Sequence, residues 1–486
     1  MIKKIYSDSL GLLTDLYQLT MCYGYWKKGI HQKISSFNLF FRNNPFKGAY
    51  SVTCGLDYVI NYLNNFKFSK EDISYLSNLK TENGKKLFEN KFLGFLKEFR
   101  FECDLDAIEE GRIVFPNEPL LRITGPLYQC QLLETALVNI INFQSLIATK
   151  SSRMYLAAKG DPILEFGLRR AQGIDGALSA SRASYIGGCS KTSNVLAGKL
   201  FDIPVSGTHS HSWVLSFDSE EEAFRSYAEV MPDNCVLLVD TYDTLQGVIN
   251  AIKIGKELKE KGKNLIGIRI DSGDLAYLSK KARKLLDKEG LEDVKIVASN
   301  DLDEFLITSL KYQKSKISVW GIGTKLITAY DNPSLGAVYK LSAVKDEKGQ
   351  WVNKLKLSEQ KIKINNPGIH QVRRFFRNDK FLGDMIYDIN YKSNSRIMID
   401  PNDSTKSKKF LNSNIKHEDL LKSIFKKGKL VYKSDSIHKI RGKLINDLGC
   451  LDNTHKRLEN PHNYPVGLEK SLFEEKNKMI LELRKK

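Results

Sequence analysis

The sequence of 486 residues predicts an α/β protein with an irregular (β/α) barrel, an N-terminal α+β domain before it and a small C-terminal extension after it. Three observations predict this fold class. Short apolar runs recur from about residue 161, helical segments separate most of them, and the runs are apolar throughout rather than alternating. Continuous apolar runs are typical of parallel strands covered on both faces, and seven of them nearly complete an eight-stranded barrel.

The apolar runs predict strands at Ile163–Phe166, Ile203–Ser206, Val236–Val239, Leu265–Ile270, Lys295–Ala298, Val319–Ile322 and Ala337–Leu341. Helical patterns between them predict helices at Asp243–Lys261, Leu275–Glu289 and Asp301–Tyr312. The barrel domain is therefore expected to span residues 151–345.

The segments on either side of the barrel are more mixed. The N-terminal domain, residues 1–150, is predicted to hold helices at Thr14–Trp26, Gly55–Phe66, Lys86–Phe99 and Leu132–Lys159, a strand at Ile34–Arg42 and short strands within Ile108–Arg122. The C-terminal region, residues 346–486, is predicted to hold a few strands in Lys354–Phe376 and a polar loop at Asn390–Lys409. We expect it to pack on the N-terminal domain.

Composition excludes several classes of protein. The hydrophobic share of 42% and charged share of 27% are ordinary for a globular chain, and the seven scattered cysteines contain no C-x-x-C pair that would indicate zinc or a disulfide framework. Asp8 and Asp15 interrupt any signal-peptide core, and no uncharged apolar run of 18 residues occurs. We therefore expect a cytoplasmic protein with no membrane partner.

The net charge of +18 leaves open a second reading. From Pro401 to the end the chain carries 20 Lys and Arg against 11 Asp and Glu, which is half of the net charge in under a fifth of the chain. A nucleic-acid-binding protein would use such a tail, but no aromatic residues of the kind that stack on bases are interleaved with these cations. Solvated lysine faces are the simpler interpretation, and a positive field equally suits a small phosphorylated substrate.

Polar side chains follow the predicted strands, where the functional groups of parallel barrels lie. Helix capping would account for single Ser, Thr and Asp residues at strand ends, but not for several arginines and two histidines. The glycines of the turn Gly321-Ile-Gly323-Thr324 would let backbone N–H groups approach an anion closely. Three arginines add planar guanidinium groups suited to binding carboxylate or phosphate: Arg169, Arg170 and Arg269. Each of them alone could equally well form a salt bridge within the protein.

Two further pairs could carry chemistry. Asp271 and Asp274 could hold Mg²⁺ near a diphosphate, with a helix-capping aspartate as the plain alternative. His209 and His211 would face the same way on an extended segment, but a third metal ligand of the usual spacing is absent from the sequence. A phosphorylatable or acid–base histidine fits the anionic surroundings better than a metal pair.

Several long segments, in order from about Leu12 to Lys340, resemble the nicotinate phosphoribosyltransferase family. They are LLTDLYQLTMCYGYW, FFRNNPFKGAYSVTCGL, EFGLRRAQGIDGALSASRASYIGG, SNVLAGKLFDIPVSGTHSHSWV, GIRIDSGDL and GIGTKLITAYD. The resemblance implies a barrel of the type II phosphoribosyltransferase kind. It also implies conversion of nicotinate and phosphoribosyl pyrophosphate to nicotinate mononucleotide and pyrophosphate in NAD biosynthesis (salvage), with coupled ATP hydrolysis and Mg²⁺.

The resemblance also implies roles for particular residues. His211 matches the family's phosphohistidine, and Tyr17 matches the aromatic that stacks on the pyridine ring. Thr208 and Arg269 match further nicotinate contacts, and Thr324 matches a contact to the phosphoribosyl phosphate. The family is typically a homodimer with its active site at the subunit interface, where the segment carrying Tyr17 reaches the partner's barrel.

The nearest rival within the fold is nicotinamide phosphoribosyltransferase. The acidic residue that favours the amide in that family falls at Ser193 here, and a carboxylate at that position would repel nicotinate. Quinolinate phosphoribosyltransferases share the fold type but are typically much shorter chains. Ser193 therefore favours nicotinate as the substrate.

Overall fold

The computed structural model describes residues 10–360, 363–391 and 395–485, so Asp8 lies outside the described residues. Contacts group the chain into two compact units. The first comprises the described residues up to Leu146, Ser334–Ser436 and those from Gly442 onward; the second comprises Ile147–Pro333 and Ile437–Arg441. The division into 1–150, 151–345 and 346–486 stays a prediction, but the first unit joins N-terminal and C-terminal segments in one body.

The second unit is built on a parallel sheet of six strands in the order β7-β6-β11-β10-β9-β8. The strands are β6 Ile163–Glu165, β7 Lys191–Thr192, β8 Val236–Leu238, β9 Gly267–Ile270, β10 Lys295–Ala298 and β11 Val319–Ile322. Six of the seven predicted runs form strands, and five of these belong to this parallel sheet. The run Ile203–Ser206 forms only an isolated parallel bridge from Val205 to Thr192, and the short strand β7 had no apolar signal.

Helices separate most of these strands, as the alternating pattern predicts. In the second unit they span Ile174–Ile186, Val195–Phe201, His211–Val214, Glu220–Val230, Thr244–Glu260, Leu275–Lys288, Glu304–Tyr312 and Thr324–Ile327. Aspartate caps set the start of three of them, because the carboxylates of Asp243, Asp274 and Asp303 accept from backbone N–H groups of the first turn. The helix predicted from Asp301 accordingly begins at Glu304.

The first unit contains two larger sheets. One has seven strands in the order β13-β12-β1-β5-β3-β19-β20, and its neighbours are antiparallel. Its strands are β1 Ile34–Phe41, β3 Asp104–Ile108, β5 Leu121–Pro126, β12 Ala337–Lys345, β13 Trp351–Asn353, β19 Leu421–Lys426 and β20 Lys429–Leu430. The assignment of Ala337–Leu341 to the barrel series is wrong, because β12 pairs antiparallel with β1.

The second sheet of this unit has six strands in the order β17-β16-β21-β15-β14-β18. They are β14 His370–Arg377, β15 Lys380–Asp388, β16 Ile397–Ile399, β17 Ser407–Lys409, β18 Lys416–Asp419 and β21 Val466–Glu469, and a separate pair joins β2 Ser51–Val52 to β4 Ile113–Val114. The polar stretch Asn390–Lys409 is thus more than a loop, since β16 and β17 lie within it. Residues 361–362 and 392–394 of the two predicted C-terminal segments lie outside the described residues.

Helices complete the first unit at Leu16–Lys27, Leu56–Asn65, Lys70–Asn78, Asn90–Lys97, Leu127–Leu132 and Lys470–Arg484. Two others cross the unit boundary, at Glu134–Ala158 and Ile437–Cys450. The prediction at Lys86–Phe99 was too long at its start, where Lys86 forms a bridge with Lys80. None of the described helices is long and apolar enough to cross a membrane.

Candidate active site

The candidate residues of the second unit gather at one edge of the parallel sheet. Arg269 lies in β9 and Asp271 directly follows it, while Asp240, Ser299 and Gly323 follow β8, β10 and β11. Because all six strands run parallel, their carboxyl ends meet at the same edge, where ligands bind in α/β sheets. The structure therefore brings most of the predicted site residues together.

Arg269 is the centre of this edge. One terminal nitrogen donates to the hydroxyl of Thr208, and the other donates to the carbonyl of His209 at 3.1 Å. The Nε atom is buried and has no hydrogen-bond partner among the described residues. Burial lowers the pKa of the guanidinium, while the carboxylates of Asp271 and Asp240 oppose the shift.

The two histidines of the loop differ sharply. His209 is only 7% exposed, whereas the side chain of His211 is 41% exposed. His211 begins the helix His211–Val214, its Nδ1 lies 3.1 Å from the Thr241 hydroxyl oxygen, and its Nε2 lies 4.0 Å from Oδ2 of Asp271. The expectation that both rings face the same way is wrong, because the chain turns into a helix at His211.

Three carboxylates around the site have distinct partners. Asp240 Oδ2 accepts from the N–H of Asp271 and the hydroxyl of Ser272, while Asp240 Oδ1 is buried and has no hydrogen-bond partner among the described residues. Asp271 Oδ1 accepts from Ser299. Asp274 instead caps the helix Leu275–Lys288 by accepting from the N–H of Tyr277 at 2.9 Å. Of the two roles that the sequence allowed, helix capping is therefore the one observed.

The described residues contain no group of three or more His, Cys, Asp and Glu that could hold a metal ion without help. Mg²⁺ commonly takes one or two protein carboxylates and completes its shell with water and substrate phosphates. The unpartnered oxygen of Asp240 and the neighbouring Asp271 are compatible with such a partial donor set.

The arginines predicted to bind phosphate lie on a turn after β6, whereas of the two predicted glycines Gly321 lies in β11 and Gly323 directly follows that strand. Arg169 and Arg170 are exposed on a short turn at Leu168–Arg170, and the positive charge of Arg169 reaches Arg269 closely enough to lower its pKa. The fully buried Glu165 precedes this turn and accepts from the N–H of Gly167 and from the hydroxyls of Ser181 and Thr192.

The two glycines at the end of β11 have different surroundings, and Gly321 belongs to the strand rather than to the predicted turn. A Cβ atom on Gly321 would lie 2.8 Å from the ring of Phe166, whereas a Cβ on Gly323 would lie no nearer than 3.5 Å to any heavy atom outside its immediate neighbours. Thr324 follows Gly323 as the first residue of the helix Thr324–Ile327. Gly321 is therefore needed for packing, and the space beside Gly323 is open.

Tyr17 belongs to the other compact unit, in the first turn of the helix Leu16–Lys27. It is 47% exposed, and partial burial together with the carboxylate of Glu134 raises the pKa of its phenol to about 12. The phenol is thus neutral across the physiological range.

The sequence places Asp240, Thr241 and Ser299 among the polar residues at the predicted strand ends, but it assigns them no individual role. Only the fold shows which side chains they contact. The buried roles of His209 and Glu165 had no signal, because their partners are distant in sequence.

The fold and the edge cluster define an α/β protein with a site suited to an anionic ligand at the carboxyl ends of a parallel sheet. Family models match along most of the chain: the N-terminal domain of nicotinate phosphoribosyltransferase at residues 12–142, the nicotinate phosphoribosyltransferase family at residues 162–378, and the C-terminal domain at residues 369–476. The chain belongs to the nicotinate phosphoribosyltransferase family.

Individual relatives agree with the family models. The chain is 46% identical to nicotinate phosphoribosyltransferase of Bacillus subtilis (strain 168), over 98% of this chain and 96% of the relative. It is 36% identical to nicotinate phosphoribosyltransferase of Caenorhabditis elegans, over 95% and 92%. The crystal structure of human nicotinic acid phosphoribosyltransferase superposes with a TM-score of 0.84 at 31% identity, covering 96% of this chain and 99% of that one.

Proposed function

We propose that this chain is a nicotinate phosphoribosyltransferase that forms nicotinate mononucleotide and pyrophosphate from nicotinate and phosphoribosyl pyrophosphate, a step of NAD biosynthesis by salvage. The observation that carries the proposal is the Arg269 guanidinium, held by Thr208 and the His209 carbonyl at the carboxyl end of β9. A partly buried guanidinium whose Nε has no hydrogen-bond partner among the described residues favours a carboxylate ligand, as nicotinate offers and nicotinamide does not.

In the transfer, the bond from the anomeric carbon to the pyrophosphate oxygen breaks and a bond from that carbon to the pyridine nitrogen forms. Pyrophosphate leaves with the electron pair of the broken bond, and the ribosyl carbon passes through an oxocarbenium-like state. Arg169 and Arg170 stabilise charge on the departing diphosphate, and the turn at Gly321, Gly323 and Thr324 holds the phosphoribosyl phosphate. Arg269 and Thr208 orient the ring so that its nitrogen attacks.

ATP hydrolysis is coupled through His211. The half-exposed ring at the sheet edge receives the terminal phosphoryl group of ATP and later passes it to water, while the transfer itself uses other groups. Phosphorylation places negative charge beside Asp271 and next to the Arg269 site, which changes how tightly substrates bind. Asp271 and Asp240 would hold Mg²⁺, which supplies charge neutralisation for the phosphates when bound.

The parallel sheet is proposed to curl into an irregular barrel of the type II phosphoribosyltransferase kind. Val205 bridges to β7 at one edge of the sheet, and four residues later the side chain of His209 accepts from the N–H of Leu238 on β8, the opposite edge. If the bridged segment at Val205 is counted as a seventh strand beside β7, the two edges of a flat sheet would lie about 29 Å apart. Four residues span at most about 14 Å, and an imidazole is too short to cover the remainder, which supports curvature.

The active molecule is proposed to be a homodimer with interfacial active sites. Tyr17 is half-exposed at the start of its helix, as an aromatic that stacks on a ligand ring must be. Each subunit would supply Tyr17 to its partner's sheet edge, where the pyridine ring lies against it.

Product analysis tests the proposal directly. The purified chain is offered nicotinate, nicotinamide and quinolinate separately with phosphoribosyl pyrophosphate, Mg²⁺ and ATP. Nicotinate mononucleotide from nicotinate, with nicotinamide poorer by about a hundredfold, is expected from the loss of one charged pair. Equal turnover of nicotinamide would overturn the substrate assignment, and a salt-dependent gel shift with DNA would revive the nucleic-acid reading.

A further inference from the structure

The imidazole of His209 is hydrogen-bonded at both nitrogens in a way that fixes its protonation. Nε2 accepts from the backbone N–H of Leu238 at 3.1 Å, and Nδ1 lies 3.2 Å from the carbonyl oxygen of Ser210. A backbone N–H can only donate and a carbonyl can only accept, so Nε2 carries the lone pair and Nδ1 carries the proton. The ring is therefore a neutral, fully paired group.

The backbone N–H of Leu238, which donates to His209, lies on an edge strand of the sheet. β8 is the last strand in the order, and its residues pair with β9 on one side only. Val239 donates its N–H to the carbonyl of Arg269, so the N–H of the preceding residue, Leu238, points away from β9. The side chain of His209 thus takes the place of a strand partner at this point.

The same residue shapes the proposed nicotinate pocket through its backbone. The carbonyl of His209 accepts from Arg269 Nη2 at 3.1 Å and from the Thr208 hydroxyl at 3.1 Å. The Thr208 hydroxyl in turn accepts from Arg269 Nη1. Any shift of the backbone at His209 would therefore move both groups that are proposed to contact nicotinate.

We propose that His209 is a positioning residue for the nicotinate pocket: its imidazole fastens the loop that carries Thr208 to the edge of β8 and so sets the placement of the Arg269 fork. The inference rests on the proposed roles of Thr208 and Arg269. It assigns no bond-making step to His209, whose side chain is nearly buried.

The surroundings keep the ring neutral. Burial, assisted by the neighbouring Arg269 and His211, lowers the pKa of His209 to about 4, although the hydrogen bond to the Ser210 carbonyl opposes the shift. On the other side, the rings of Tyr227 and Phe224 on the helix Glu220–Val230 pack at centroid distances of 4.8 and 6.1 Å and carry no opposing charge. A protonated ring would lose its acceptor for Leu238 and add a cation beside Arg269.

Two amide substitutions distinguish the hydrogen bond at Nε2 of the ring from the one at Nδ1. His209→Gln can place its amide oxygen near the Nε2 position and keep an acceptor for the Leu238 N–H. His209→Asn reaches only the Nδ1 position, so it keeps the contact with Ser210 and loses the one with β8. Both are polar and of similar character, so a difference between them reports the bond to β8.

The experiment measures KM for each substrate and kcat for the full-length chain, with thermal melting as a check on folding. We expect His209→Asn to raise KM for nicotinate about tenfold or more while KM for phosphoribosyl pyrophosphate changes less than about threefold, and His209→Gln to restore nicotinate KM to within about threefold of wild type. A parallel rise of both KM values with a lowered melting temperature would mean a general structural role and would overturn the proposal.

Arg269→Gln, assayed alongside, separates the inference from the pocket on which it rests. If Arg269→Gln raises KM for nicotinate and His209→Asn does not, His209 is not a positioning residue. If neither substitution raises it, the assignment of the nicotinate pocket to Arg269 is wrong, and the inference about His209 is wrong with it.

Discussion

The Nδ1 atom of His211 lies 3.1 Å from the hydroxyl oxygen of Thr241, which directly follows Asp240 beyond the end of β8. This hydrogen bond fixes the orientation of a ring that is otherwise 41% exposed. Thr241→Val should therefore slow the formation of acid-labile phosphoenzyme from γ-labelled ATP by up to about tenfold, since a net hydrogen bond is worth about 0.5–1.5 kcal/mol.

Two other variants serve as controls for the rate of phosphoenzyme formation. Thr241→Ser keeps a hydroxyl and should label at close to the wild-type rate. His211→Ala should abolish both the label and the ATPase activity but leave a slow ATP-independent transfer, because Arg269 and the phosphate-binding turns do not depend on that imidazole. A label that persists in His211→Ala would show that another residue carries the phosphoryl group.

The sequence predicted which residues meet at the edge of the sheet better than it predicted the hydrogen bonds among them, for a physical reason. Polar residues at the ends of parallel strands converge whatever the details of the loops, so Arg269 and Asp271 could be placed together from strand positions alone. The difference between His209 and His211 depends on the edge of β8, which is almost thirty residues further along the chain. Local periodicity contains no information about that pairing.

The strand β12 shows the same limit at the level of the fold. Its apolar run resembles the preceding strands of the parallel sheet, yet it pairs antiparallel with β1, about 300 residues away. A strand's own residues record that it is buried but not which neighbour buries it. The short strand β7 is the converse case, because a two-residue strand with an exposed lysine has no apolar run to detect.

Arg269→Gln should raise KM for nicotinate by roughly a hundredfold, because the loss of a charge-assisted pair costs about 2–3 kcal/mol. Nicotinamide turnover should change far less, since that substrate offers no carboxylate. Steady-state kinetics with both substrates measure the ratio. Arg225→Gln is the matched control, as Arg225 forms its ion pairs with Glu221 and Glu257 on the surface and should leave both KM values unchanged.

Stability of the second unit should depend on a buried ion cluster at Glu304. Its carboxylate pairs with Lys150 and Arg153, each at 2.8 Å, and all three side chains are almost completely buried. Burial alone would raise the pKa of Glu304, but the two cations outweigh it and the pKa is lowered. Glu304→Gln should reduce the free energy of unfolding by up to about 3–5 kcal/mol, because it removes the buried carboxylate that both cations share, although Lys150 also lies 3.5 Å from Asp331.

The lowered pKa of Glu304 also predicts how the free energy of unfolding changes with pH. Glu304 has a lower pKa in the folded chain than the unfolded value of about 4.3, so its contribution is complete above that pH and is lost as pH falls toward the folded pKa. Urea melts between pH 3 and 7 should show a shallower acid loss for Glu304→Gln than for wild type. Glu289→Gln, which removes an exposed pair with Lys256, should leave the melts unchanged, and an equal effect of the two substitutions would contradict the buried-cluster account.

The end of β11 offers the sharpest separation of binding from folding, because Gly321 and Gly323 have different surroundings. Gly323→Val has room for its Cβ atom, whose nearest heavy atom would lie 3.5 Å away, so melting temperature should change little. The added side chain should obstruct a phosphate that approaches the backbone N–H groups, and KM for phosphoribosyl pyrophosphate should rise about tenfold or more. Gly321→Val should instead lower the melting temperature, since its Cβ would lie 2.8 Å from the Phe166 ring. An unchanged KM in Gly323→Val, with the fold intact, would remove this turn from the phosphate site and leave Arg169 and Arg170 as the anion-binding groups to test.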